Sequence, residues 1–377
     1  MDTIIPLDVR LSNNSPVGQN IGDRVRPRVL CNLYEEGCGK DVVFLISHPA
    51  INFLYHYLLE PLRSRGIAAA AVTTRHTNND SSLLMERVIQ DVGAGVKFLR
   101  ERGYQRVILI GNSGGGSLMS LYQSQAETLT ITSTPDGRPF DIIPEDLPKA
   151  DAIALLSAHR GRHLYFRESL DPSMLCESDF LSTDPALDMY NTENGPKYSE
   201  AWLEGYYQAQ SARHQRLTNW VEGRLRELEA LGGEADDQGF VIHRTYAKPS
   251  TLDPTIDPND RPLGDMTIYG KSKSVNYSAG VLGRFTTLRS FMSQWSTKSL
   301  ADGPARLAET TVPCLNVEYS ADAGCLPRDT APYTVAAGAR GERYLLKGAG
   351  HFPFLQQDGD KIIADLADTL VDWARAH

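Results

Sequence analysis

Short, solid runs of apolar residues alternate with helix-patterned segments in the first part of this 377-residue chain, and few folds accommodate that order. Residues 41–47 (DVVFLIS), 67–73 (IAAAAVT), 106–110 (RVILI) and 152–157 (AIALLS) are too short for buried helices and read as strands. Residues 53–65 have helical spacing, with Pro61 expected to shorten or kink the helix and Gly66 to stop it. Residues 82–102 place apolar side chains at helical intervals up to Gly103, and 115–126 read as a further helix. Strands alternating with helices imply parallel strands joined by crossovers on both faces of a sheet. A sheet covered on both faces also explains why these strands are solidly apolar and not alternating.

From about His159 to Ala308 the alternation stops. A long helix is expected over about 199–231, then a turn-rich stretch with Pro249, Pro254, Pro258 and Pro262, then a helix near 279–296. Strands resume at 314–319 (CLNVEY) and 342–346 (ERYLL), and a helix over about 358–375 closes the chain. The expected organisation is an α/β core of residues 1–158 and 309–377, with a mostly parallel central sheet. Residues 159–308 form a large, mainly helical cap inserted into it.

The strand at 106–110 runs directly into Gly111-Asn112-Ser113-Gly114-Gly115, a G-x-S-x-G pattern between a strand and a helix. A serine there sits on a sharp, strained turn with its Oγ exposed above the sheet edge. Gly111 and Gly115 supply the room the turn needs. The helix that follows points its first amides at the same place, so the Gly114 N–H is a candidate donor to a developing oxyanion. The rival reading is a phosphate-binding turn. GNSGGGS lacks the Lys-Ser/Thr of a P-loop and is not the first strand turn of a dinucleotide fold.

Element order and elbow together resemble the α/β-hydrolase superfamily, over about residues 40–158 and 310–377. The resemblance implies a serine hydrolase whose triad partners follow in the order acid, then histidine. Ser320-Ala321-Asp322-Ala323-Gly324, just after CLNVEY, is similar to the family's acid loop, and Gly348-Ala349-Gly350-His351-Phe352 to its histidine loop. Ser113, Asp322 and His351 are therefore the expected triad, with Glu318 a rival acid in reach of the same histidine. A second oxyanion donor is implied in His48-Pro49-Ala50-Ile51-Asn52. Where the family often has His-Gly, this chain has His48-Pro49, and a proline has no N–H to give. The Ala50 amide is the expected donor, with Ile51 behind it, and His48 is expected to bond the loop backbone.

A serine at the elbow implies acyl transfer from an ester or lactone through an acyl-enzyme. Fold members that act as dehalogenases or epoxide hydrolases carry a carboxylate there. An acyltransferase, a C–C bond hydrolase on the same triad, and a non-catalytic ligand receptor are the alternatives. The cap aromatics Tyr165, Phe166, Trp202, Tyr206, Tyr207, Trp220, Phe285, Phe291 and Trp295 suit an apolar or aromatic acyl group, although packing accounts for most of them. His159, Arg160, Arg162, His163 and Arg167 read either as a carboxylate clamp or as salt-bridge partners. His159 and His163 lack a third zinc ligand, and Asp236-Asp237 before Gly239 is too short for a calcium loop. No metal or other cofactor is expected.

The net charge of −9 disfavours nucleic acid and anionic membranes as partners. Five widely spaced cysteines without a CxxC pair argue against a disulfide framework. The first residues lack a secretory pattern, so a cytoplasmic protein is expected, and a homo-oligomer is compatible with everything above.

Overall fold

Five strands are buried along nearly their whole length, and their odd and even residues feed two different cores. The computed structural model describes residues 4–10, 29–232 and 235–377. Its strands are β1 (Ile4–Leu7), β2 (Val29–Tyr34), β3 (Val42–Ser47), β4 (Ala68–Val72), β5 (Arg106–Asn112), β6 (Ala152–Leu156), β7 (Gly239–Val241), β8 (Phe285–Thr287), β9 (Cys314–Tyr319) and β10 (Gly341–Leu346). Eight of them form one sheet in the order β1-β2-β4-β3-β5-β6-β9-β10. Pairing is parallel from β4 through β10 and antiparallel at β1–β2 and β2–β4.

The two-residue period of a strand sends neighbours to opposite faces. Val43, Leu45, Val107 and Leu109 meet Val88, Val92 and Leu118 on one face. Phe44, Ile46, Ile108 and Ile110 meet Leu59, Leu62, Leu366 and Leu370 on the other. The first face is covered by α2 (Met85–Glu101) and α3 (Gly115–Glu127), the second by α1 (Leu59–Arg63) and the C-terminal helix, Gly359–Ala376. Gly66 and Gly103, both at positive φ, end the segments before β4 and β5.

The first crossover helix is shorter than its spacing predicts. Pro61 can offer no N–H, so it fits only the first turn, where that donor has no helical partner. The helix therefore starts at Leu59, and residues 53–58 form turns in which Asn52 Oδ1 and His56 Nδ1 accept from the Leu54 and Leu58 amides.

Between β6 and β9 run α4 (Arg162–Arg167), α5 (Glu200–Glu229), α6 (Ser272–Tyr277), α7 (Leu288–Gln294) and α8 (Gly303–Ala308). After β9 come α9 (Pro327–Ala337) and α10 (Gly359–Ala376). Ser199 caps α5 by accepting from the Trp202 amide at 3.2 Å. The helix expected near 279–296 is divided: β8 pairs with β7, and α7 starts only after Thr287 caps it. Leu217, Val221 and Leu225 of α5 pack on Phe166, Phe291 and Trp295, while Tyr198, Trp202 and Tyr206 form a second cluster. Trp220 and Phe285 are exposed. A buried ion pair, Arg244–Asp171 at 2.7 Å, is completed by Asn276 on the same carboxylate.

The segment between β6 and β9 is tied to the sheet's helices. Ser293 Oγ donates to Glu86 Oε2 at 2.7 Å and accepts the Met85 amide at 2.8 Å. Glu86 is fully buried, and its Oε1 has no partner among the described residues. Burial pushes its carboxyl up from 4.5 to about 7, against the Ser293 hydrogen bond. The unfolded chain ionises first, so stability falls as pH rises from about 4.5 to about 7. Glu86→Gln is expected to raise the melting temperature at pH 8 and to leave it nearly unchanged at pH 4, as calorimetry at the two pH values would show. Among the described residues no helix is long and apolar enough to cross a membrane.

Candidate active site

At the end of β5 the chain turns into α3 within three residues. Ser113, at the turn, has φ 55°, a left-handed conformation that a non-glycine residue rarely adopts. Close backbone approach explains the glycines. A Cβ on Gly111 would lie 2.7 Å from the Gly115 carbonyl oxygen, and one on Gly115 would lie 2.6 Å from that of Ser47. Gly115→Ala is therefore expected to cost about 1–3 kcal/mol, read as a lowered urea midpoint at unchanged slope. The Gly114 amide, at the N-cap of α3, has no partner among the described residues.

Asp322 and His351 are brought together from two loops that hold each other. The Ala321 amide donates to the Ala349 carbonyl at 2.9 Å, and the Gly348 amide to Ser320 Oγ at 2.9 Å. Gly348, at φ 74°, turns the second loop back over the sheet. His351 Nδ1 then lies 2.7 Å from Asp322 Oδ2. The Asp322 carboxylate is fully buried, and Ser157 Oγ donates to the same oxygen. Its other oxygen accepts the Gly324 and Cys325 amides. Burial alone would raise this carboxyl, but His351, Ser157 and the Gly324 amide outweigh it and hold it below 3.8. Asn259, from the segment between β6 and β9, donates to the Asp322 backbone carbonyl at 2.7 Å.

Glu318 is directed elsewhere. Thr330 Oγ1 and Arg343 Nη2 donate to its Oε2 at 3.0 and 2.8 Å. Among the described residues, Asp322, Cys325 and His351 are the group close enough to share an ion, with ligand atoms within 4.8 Å. Four hydrogen bonds already occupy that carboxylate.

Ser113 and His351 line one cavity of about 700 Å³. No hydrogen bond joins them here; such contacts commonly tighten only around a bound substrate. The Ala50 and Ile51 amides, expected to face this cavity as donors, both donate to His48 Nδ1, at 3.2 and 2.9 Å. His48 thus bonds the loop backbone as expected, and in doing so engages those amides.

Of the aromatics between β6 and β9 that the sequence singled out, Tyr165 and Trp295 line the cavity, and Tyr269, not singled out in the sequence, joins them. Phe53, Tyr57, Phe352 and Phe354 add an aromatic wall from the loops of the sheet. Arg162 lies in the wall, paired with Asp80 and stacked 4.3 Å from the Trp295 ring, with its Nη1 unpartnered among the described residues. Arg160 and Arg167 pair with Glu168. His163 does not line the cavity, whereas His159 does. Behind Ser113, His56 Nε2 lies 3.3 Å from Asn112 Oδ1, and Asn112 Nδ2 donates to the Leu156 carbonyl. That brace on the elbow carries no sequence signal beyond two polar residues.

No protein-family model matches the chain, and no curated protein matches it in sequence. Solved structures do. DcsB in complex with its substrate analogue aligns over 100% of this chain and 99% of its own, with TM-score 0.52 and 10% identity. A hypothetical protein from Pseudomonas aeruginosa aligns over 98% and 93%, with TM-score 0.51 and 12% identity. The esterase domain of a Rhodothermus marinus protein aligns over 100% and 98%, with TM-score 0.46 and 13% identity. At these identities the likeness is one of fold.

Proposed function

We propose that this chain is an α/β-hydrolase and, more narrowly, a serine hydrolase that cleaves carboxylic esters or lactones through an acyl-enzyme on Ser113, a reading supported by the sheet order and the strand–Ser113–helix elbow. One observation carries this reading: the 2.7 Å contact of buried Asp322 with His351, which lines the cavity that also holds the strained Ser113.

With Nδ1 bound to Asp322, His351 has Nε2 left to take a proton. Ser113 Oγ forms a bond to the substrate carbonyl carbon while its proton passes to that nitrogen. The carbonyl π pair moves to oxygen, and the Gly114 amide donates to the oxyanion. Asp322 stabilises the imidazolium. Collapse breaks the acyl–oxygen bond, and the alkoxide leaves with the proton from His351. Water, activated by the same imidazole, then releases the acid and restores Ser113. The aromatic walls favour an apolar or aromatic acyl group, and about 700 Å³ holds one of substantial size.

Stopped-flow hydrolysis of p-nitrophenyl esters of increasing chain length, beside a lactone panel, tests the proposal. A p-nitrophenol burst equal to the enzyme concentration is expected when deacylation limits turnover. Ester or lactone turnover unaffected by Ser113→Ala would contradict it. Product analysis with added alcohol separates hydrolysis from transfer.

A further inference from the structure

Two imidazoles meet at the glycine that follows Ser113. A Cβ on Gly114 would lie 2.8 Å from His48 Nε2 and 3.2 Å from His159 Nε2. Any side chain there would displace them, so the glycine is needed for the rings. His48 comes from the loop after β3 and His159 from the segment after β6. Both line the cavity, and among the described residues the hydrogen bonds of both rings are made at Nδ1.

Their other nitrogens decide which atom carries the proton. His48 Nδ1 accepts the Ala50 and Ile51 amides, and His159 Nδ1 accepts the Gly161 amide at 3.2 Å. A nitrogen that accepts from N–H groups carries no proton of its own, so each neutral ring is N–H at Nε2, the atom that lies beside Gly114. Phe53 and Tyr165 pack beside the two rings at 5.2 and 4.9 Å between centroids. Tyr333 OH donates to the His159 carbonyl at 2.8 Å and fixes its backbone. Burial, then the nearby cations Arg162 and, for His159, Lys248, push both rings well below 6.5 and keep them neutral. A neutral imidazole is a competent electrophile toward a developing oxyanion.

This gives the departure at Pro49 a physical sense. The loop lacks one amide at Pro49, and its next two are engaged by His48 Nδ1. The donor capacity that backbone would supply passes through the ring to Nε2. We propose that the Nε2–H groups of His48 and His159 are side-chain donors to the oxyanion, acting with the Gly114 amide in place of the Ala50 amide. The proposal rests on Ser113 being the nucleophile. Donors already in place before substrate arrives need no reorganisation during the reaction.

The test combines p-nitrophenyl butyrate kinetics with inhibition by 1,1,1-trifluorooctan-2-one, to whose carbonyl carbon Ser113 adds to leave an oxyanion. His159→Leu and His48→Leu are each expected to lower kcat by roughly 10²–10³-fold, with KM changed only a few-fold. Inhibition by the ketone is expected to weaken by a similar factor. His159→Gln, which keeps an N–H at comparable reach, is expected to recover most of the loss. Unchanged kcat, a loss confined to KM, or an undiminished ketone affinity in His159→Leu would overturn the proposal. His48 also ties two loop amides, so if His48→Leu melts early, His159→Leu and its Gln partner decide. A wild-type enzyme that a fluorophosphonate does not label at Ser113 refutes the nucleophile itself. Labelled wild type with unaffected His159→Leu refutes only the donor assignment.

Discussion

Ser113→Ala is expected to lower kcat by about 10⁶-fold on any ester the enzyme turns over, without loss of the fold. The hydroxyl is the only nucleophile that the elbow presents to the cavity, and His351 without it has no oxygen to activate at that position. What survives is attack by water helped by the Gly114 amide and the cavity walls, so a residual rate above the uncatalysed one is expected. Stability should move the other way in a companion variant. Ser113 is held at φ 55°, and Ser113→Gly removes both the hydroxyl and the penalty on a left-handed side chain. That variant is expected to be as inactive as Ser113→Ala and about 1 kcal/mol more stable, as denaturant unfolding would show.

Asp322→Asn is expected to lower kcat by about 10⁴-fold while His351 stays in place. The carboxylate accepts four hydrogen bonds: His351 and Ser157 on Oδ2, the Gly324 and Cys325 amides on Oδ1. An asparagine must offer its NH₂ on one side. Toward the two amides it would set donors against donors in a buried site, so the carbonyl oxygen takes that side. The NH₂ then faces His351 and Ser157. It donates to His351 Nδ1 and forces the neutral ring to carry its proton on Nε2, where it can take none from Ser113. Separate measurement of kcat and KM with p-nitrophenyl butyrate should show the loss in kcat.

The turn at Ser113 and the meeting of Asp322 with His351 were legible because the backbone there carries a glycine signature. Gly111 and Gly115 permit the elbow, and Gly348 the returning loop. The buried strands were legible for a simpler reason: both faces of β3 to β6 and β9 are covered, so nearly every residue is apolar. Where the burial is mixed the pattern fails. β2 carries Asn32 in its middle, buried because its side chain donates to the Leu54 carbonyl at 2.8 Å, and that breaks the apolar run. α9 begins with Pro327 and contains Pro332, and its buried face, Asp329, Thr330, Tyr333 and Ala337, is half polar and so gives no apolar stripe.

The cavity walls were harder to read, since they depend on which way a ring points. His159 and Arg162 share one short basic segment with His163 and Arg167, yet only the first pair lines the cavity. The Ala50 amide is the donor that the resemblance implies. Its bond to His48 Nδ1 is set by an imidazole orientation that no local pattern encodes. Trp202 and Tyr206, which share a helical face, pack on Tyr198 within the insertion.

The central claim is that one serine out of the whole chain is activated for attack on a carbonyl. Peptide mapping by mass spectrometry after reaction with a fluorophosphonate tests it most directly. The account predicts one covalent adduct per chain, on the peptide carrying Ser113, and none in Ser113→Ala. An adduct on another residue, or labelling that persists in Ser113→Ala, would contradict it.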